Sequence, residues 1–130
     1  MSKKILVVDD EREWLLLLRW QLELLGCEII EASSPSEILE RIKNESFDLV
    51  LLDFGMPDIT GDKICRMIRE GERSKNTPVI FVTAYSQADE DTFKFYGAND
   101  VVYKPINHEE LIQKVKKHLG IGTGGGNNAL

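Results

Sequence analysis

"DLVLLD", residues 48–53, sets four consecutive apolar residues between two aspartates. A strand with one face in water alternates apolar and polar residues, so an unbroken run this short reads as a strand covered on both faces. Such strands belong to parallel sheets enclosed by helices. Working outward, runs of the same kind recur as "KILVV" (4–8), "CEIIEA" (27–32), "PVIFVTA" (78–84) and "DVVYK" (100–104). Between them apolar residues return at helical spacing, which predicts helices over 11–25, 35–44, 61–70, 87–96 and 108–119. Five strands alternating with five helices predict a three-layer, doubly wound α/β domain with a five-stranded parallel sheet.

The punctuation has local causes. Ser34 can cap the second helix with Pro35 at its first position, Thr60 or Gly61 opens the third, and Asn107 precedes "HEELIQKV" as a cap. Gly26, Gly97 and Gly120 fit helix stops. The segment "GIGTGGGNNAL" carries no apolar period and is rich in glycine, so burial cannot offset the entropy of ordering it. The expected organisation is one domain over 1–120 and a flexible tail or linker over 121–130.

Composition narrows the function. The chain has 130 residues, 42% hydrophobic and 29% charged, room for one globular core. Its formal net charge is −6, and no Lys/Arg run is long enough to neutralise several phosphates, which argues against direct nucleic-acid binding. The first apolar stretch is four residues long and ends in acids, unlike a signal peptide or a membrane span, so a cytoplasmic location is expected. Cys27 and Cys65 lack metal-ligand or redox spacing and read as small buried hydrophobes. His108 and His118, on a polar final helix, read as surface residues.

Open parallel sheets bind ligands at the carboxyl ends of their strands. The polar residues at those ends are Asp9 and Asp10, Asp53, Thr83 and Lys104. Three carboxylates supply hard oxygen ligands suited to Mg²⁺, which takes one or two carboxylates and keeps sites for water and phosphate oxygens. A carboxylate beside such a cation can attack a phosphoryl group, and Asp53 is best placed to do so. Thr83 could donate to one phosphoryl oxygen and Lys104 make a charge-assisted contact to another. Each residue alone has an ordinary structural explanation, as a helix cap, strand end, turn or surface charge. Their shared position on four strand ends favours the site.

In order along the chain, "VVDDE", "LLDFGMPDITG", "VTA" and "YKP" resemble the receiver domains of two-component response regulators, with 43, 30 and 21 residues separating Asp10, Asp53, Thr83 and Lys104. The resemblance covers Lys3 to about Leu119. It implies strand order 2-1-3-4-5, Asp53 as phosphoacceptor, and Asp9 and Asp10 as the acidic pair at Mg²⁺. It also implies that the Gly55 backbone carbonyl completes protein ligation, that Thr83 is the switch hydroxyl and Lys104 the phosphate-binding lysine. Further implications are a cis peptide between Lys104 and Pro105, a loop shaped by Met56, Pro57 and Gly61, and a histidine kinase or histidine phosphotransfer protein as phosphodonor. Such a domain is a phosphoryl acceptor with at most slow autodephosphorylation, not a turnover enzyme.

Two rivals share parts of this pattern. A flavin-binding domain of the same architecture needs a hydroxyl- and glycine-rich phosphate loop after the first strand, where "DDEREW" would repel phosphate. A magnesium-dependent phosphatase with an aspartyl nucleophile spaces its first acids Asp-x-Asp, whereas Asp9 and Asp10 are adjacent.

Two features depart from the family. Receivers usually carry Tyr or Phe three residues before the lysine; that position is Val101 here, and Tyr103 precedes Lys104 directly. A weaker or differently built switch response is expected. In "WLLLLRWQLELL", Trp14, Leu18, Gln21 and Leu25 share one helix face while Leu16, Trp20 and Leu24 gather opposite. That second stripe is either a docking patch for a partner helix or a second copy of the chain, or apolar surface partly covered by Arg and Glu stems.

Overall fold

The apolar runs become strands and the amphipathic stretches become the helices that cover them. In chain order they are β1 (Lys4–Val8), α1 (Arg12–Leu24), β2 (Glu28–Ala32), α2 (Pro35–Asn44), β3 (Leu49–Leu52), α3 (Gly61–Glu70), β4 (Val79–Thr83), α4 (Glu90–Phe95), β5 (Asp100–Tyr103) and α5 (His108–Leu119). The computed structural model describes residues 2–9, 12–55, 59–84 and 89–121, without the side chains of Arg12 and Trp14. Asp10, Met56, Pro57 and the glycine-rich tail from residue 122 therefore lie outside the described residues.

All four strand pairings are parallel, in the order β2-β1-β3-β4-β5. Alternate residues of each strand serve opposite layers. Leu6, Val8, Val50, Leu52, Phe81 and Val101 pack with Ile38, Ile64 and Phe93 beneath α2, α3 and α4. Ile5, Val7, Leu49, Leu51, Val82 and Val102 pack with Leu18, Leu22, Leu111 and Val115 beneath α1 and α5. Both faces of β3 are thus in core, as "DLVLLD" required, and each fully buried side chain contributes about 1.5–3 kcal/mol. Cys27 and Cys65 are free and buried, as expected. Among the described residues, no helix is long and apolar enough to cross a membrane.

The caps follow the sequence closely. Ser34 accepts from the Glu37 N–H and Asn107 from the Glu110 N–H, while Gly26, Gly97 and Gly120 all have positive φ. Thr60 is the N-cap of α3, without a side-chain capping bond.

The fourth helix is shorter than the expected 87–96. Asp89 is extended, and its carboxylate takes the Thr92 N–H at 2.9 Å, so α4 begins only at Glu90. Gln87 itself lies outside the described residues. On α1, Leu15, Leu18 and Leu22 are buried and Leu25 packs against the same core, so Leu18 and Leu25 of the first stripe face inward, while Leu16, Trp20 and Leu24 face out, with Trp20 61% exposed.

The histidines are a correction. His118 Nε2 lies 3.0 Å from Asp100 Oδ2, and His108 Nδ1 lies 3.1 Å from Gln21 Oε1. Both contact groups on other elements rather than standing free in solvent, because α5 lies across β5 and beside α1.

Candidate functional site

Parallel pairing puts the last residues of β1, β3, β4 and β5 on one rim. Asp9 follows Val8, Asp53 follows Leu52, Thr83 ends β4, and Lys104 follows Tyr103. The register delivers them together: Val8 pairs with Leu52, and Thr83 with Tyr103. The Asp53 N–H donates to the Val8 carbonyl, and the Lys104 N–H to the Thr83 carbonyl.

Lys104 is where the rim converges. Its Nζ lies 3.1 Å from Asp9 Oδ2 and 3.7 Å from Asp53 Oδ2, so a residue 95 positions along the chain from Asp9 closes the site. The peptide between Lys104 and Pro105 is cis, as the resemblance implied. The Gly55 N–H donates to Asp53 Oδ1 at 3.0 Å, fixing the carboxylate against the turn that follows it. Thr83 is buried to 1% exposure.

The electrostatics gather carboxylates at one end of the sheet. Among the described residues the Lys104 ammonium lies between the Asp9 and Asp53 carboxylates, and the chain places Asp10 next to Asp9. Like charges about 4 Å apart repel by about 4 kcal/mol at the effective dielectric of a protein surface. A hard divalent cation on carboxylate oxygen would relieve that repulsion, and the donor chemistry fits Mg²⁺. Among the described residues, no three carboxylate, imidazole or thiolate side chains gather as ligands. Asp9 and Asp53 supply two, and Asp10 lies outside that description.

The sequence reading brought Asp9, Asp10, Asp53, Thr83 and Lys104 to one rim; the structure sets Asp9, Asp53, Thr83 and Lys104 there, and Asp10 lies outside the described residues. It missed the surroundings of Phe54. That ring lies 5.6 Å from Phe81, 5.5 Å from Phe93 and 5.7 Å from Tyr96, centroid to centroid. Only its place directly after Asp53 could have drawn attention to it. Val101 is buried in the core beside this cluster, and Tyr103 reaches Phe93 at 6.2 Å.

Comparison with known proteins places this geometry in context. The family described as response regulator receiver domain matches residues 5–116. The alkaline phosphatase synthesis transcriptional regulatory protein PhoP of Bacillus subtilis is 34% identical over 120 residues, 92% of this chain and 49% of PhoP. The polar-differentiation response regulator DivK of Brucella ovis is 30% identical over 92% of this chain and 98% of its own. The chain thus spans about half of PhoP and nearly all of DivK. Among solved structures, a CheY-like receiver domain protein from Methanospirillum hungatei superposes with a TM-score of 0.82 at 31% identity, over 92% of this chain and 95% of that one. TrrA of Thermotoga maritima, solved in complex with Mg(2+)-BeF, gives 0.78 at 38% identity over 90% and 99%.

Proposed function

This chain belongs to the response regulator receiver domain family of two-component signalling, and on that premise we propose that Asp53 accepts a phosphoryl group from a phosphohistidine on a partner protein. An Asp53 carboxylate oxygen forms the new O–P bond, the P–N bond breaks, and the imidazole nitrogen keeps the electron pair. The partner is a histidine kinase or histidine phosphotransfer protein. The product is a signalling state, so the chain acts as an acceptor and not as a turnover enzyme.

The observation that carries this reading is the convergence of Asp9 and Asp53 on the Lys104 ammonium. Asp9, Asp10, Asp53 and the Gly55 carbonyl would hold Mg²⁺, and the relative TrrA was solved in complex with Mg(2+)-BeF. The ion would neutralise charge on the transferring phosphoryl oxygens. Lys104 would exchange part of its contact with Asp53 for a phosphoryl oxygen, and the Thr83 hydroxyl would bind another, drawing the segment after β4 toward the site.

Incubation with a small phosphodonor and Mg²⁺ followed by intact mass tests the reading. Wild type gains one phosphoryl group and Asp53→Asn gains none; equal gain in both defeats the assignment.

The stripe of Leu16, Trp20 and Leu24 on α1 supports docking of a partner helix or a second copy of the chain, since contiguous exposed apolar side chains mark interfaces. Trp20→Glu should slow transfer from a phosphodonor protein or reduce self-association while leaving the fold intact. Unchanged transfer kinetics together with unchanged sedimentation would remove the patch from the account.

A further inference from the structure

Phe54 is bonded to Asp53, and its backbone is held on both sides. The Gly55 N–H reaches Asp53 Oδ1, and the Gly61 N–H donates to the Phe54 carbonyl at 2.8 Å. A Cβ at Gly61 would lie 2.7 Å from Phe54 Cα and 2.7 Å from Phe81 Cε1, so the start of α3 is pressed against the residue after Asp53. Phe54 cannot shift without being felt.

Its ring extends that contact to α4. Phe54 meets Phe93 edge-on and stacks on Tyr96 at an interplanar angle of 20°. Phe93 is fully buried and also contacts Phe81 at 5.0 Å and Tyr103 at 6.2 Å. The described α4 has six residues, too few to be stable alone, so its position depends on how Phe93 and Tyr96 are seated. Its neighbouring Phe95 points outward, 87% exposed. At position 101, where the family resemblance expects an aromatic, Val101 is 2% exposed in the same core and has no ring to swing.

We infer that Phe54 couples the state of the Asp53 carboxylate to the position of α4, in place of an aromatic switch at position 101. New groups on the carboxylate replace the bond from Gly55, the turn at residues 53–55 resets, and the Phe54 ring moves against Phe93 and Tyr96. A close-packed aromatic cluster answers by changing its packing arrangement, and α4 moves with it. The inference rests on Asp53 as the phosphoacceptor.

The test loads the full chain with Mg²⁺ and beryllofluoride and follows backbone amide shifts, while a small phosphodonor and intact mass measure acceptance separately. In wild type, amides beside Asp53 and those of Glu90–Phe95 both shift. In Phe54→Leu the shifts beside Asp53 persist, and those in α4, normalised to the loaded fraction, fall by about twofold or more, the scale on which substitutions in a packed network alter coupling. Phe95→Leu, on the exposed side of α4, keeps the full response. A full α4 response in Phe54→Leu overturns the coupling, as does a wild type that loads without moving α4. A wild type that gains no phosphoryl mass overturns the acceptor reading, and the coupling with it. If Phe54→Leu fails to fold, Tyr96→Leu at the half-buried edge of the cluster gives the same comparison.

Discussion

The two rims of the sheet use charge in opposite ways. On the carboxyl-end rim, Asp9 and Asp53 meet at one ammonium, that of Lys104. On the amino-end rim, charges are spread over many partners. The Arg69 guanidinium donates to the carbonyls of Gly97, Thr77 and Lys75 and to Asn99 Oδ1, while Asn99 Oδ1 also accepts from the Val79 N–H. Lys4 pairs with Glu45, which also takes Arg41. Asp100 receives His118, Lys114 and the Val101 N–H. A satisfied network holds loops to the sheet, whereas carboxylates gathered at a strand-end rim are the kind of arrangement that the proposed cation and nucleophile would use. On the function proposed above, one rim works for stability and the other for chemistry.

The sharpest way to break this contrast is Arg69→Ala. It strips donors from half-buried carbonyls just before β4 and just after α4, and should cost about 1–3 kcal/mol, read as a lower denaturant midpoint. Phosphoryl uptake, measured below that midpoint, should be unchanged. Impaired uptake at full stability would mean the rims are not separable.

Asp100→Asn probes the same rim through pH. Burial alone would push the Asp100 carboxyl up, but hydrogen bonds from His118 and the Val101 N–H, with the charge of Lys114, outweigh it and hold the group below its ordinary value. A depressed folded value contributes stability above the unfolded pKa, and that contribution is lost as pH falls through the folded one. Near neutrality the substitution should cost about 1–2 kcal/mol. Stability curves of wild type and variant should approach each other in acid; a gap independent of pH would remove the carboxylate from the explanation.

The smallest effect belongs to the carboxyl-end rim. At about fivefold over its dissociation constant, Mg²⁺ should stabilise wild type by about 1 kcal/mol in thermal unfolding. Arg69→Ala should keep that increment and Asp9→Asn should lose it. An increment surviving in Asp9→Asn would place the cation elsewhere.

Much of this was legible before any coordinates. Runs apolar on both faces announced a parallel sheet, and strict alternation announced its layers, because each is the local trace of burial on two sides. Ser34, Pro35 and Asn107 marked helix starts through bonds spanning three residues. Asp9, Asp53, Thr83 and Lys104 were readable because each ends a strand, and strand ends in this architecture share a rim. The late start of α4 was not readable: helical spacing persists upstream of Asp89, whose carboxylate prefers the Thr92 N–H. The contacts of His108 and His118 were hidden for another reason, since they join α5 to residues 87 and 18 positions away.

By itself the sequence determined the element order, both faces of each strand and the chemical types at the carboxyl ends, all properties of periodicity and local hydrogen bonding. Only the tertiary structure decided which ammonium meets which carboxylates, and that Phe54 packs against Phe93 and Tyr96. Those outcomes depend on distances between residues far apart in the chain, which close packing sets and no local pattern encodes.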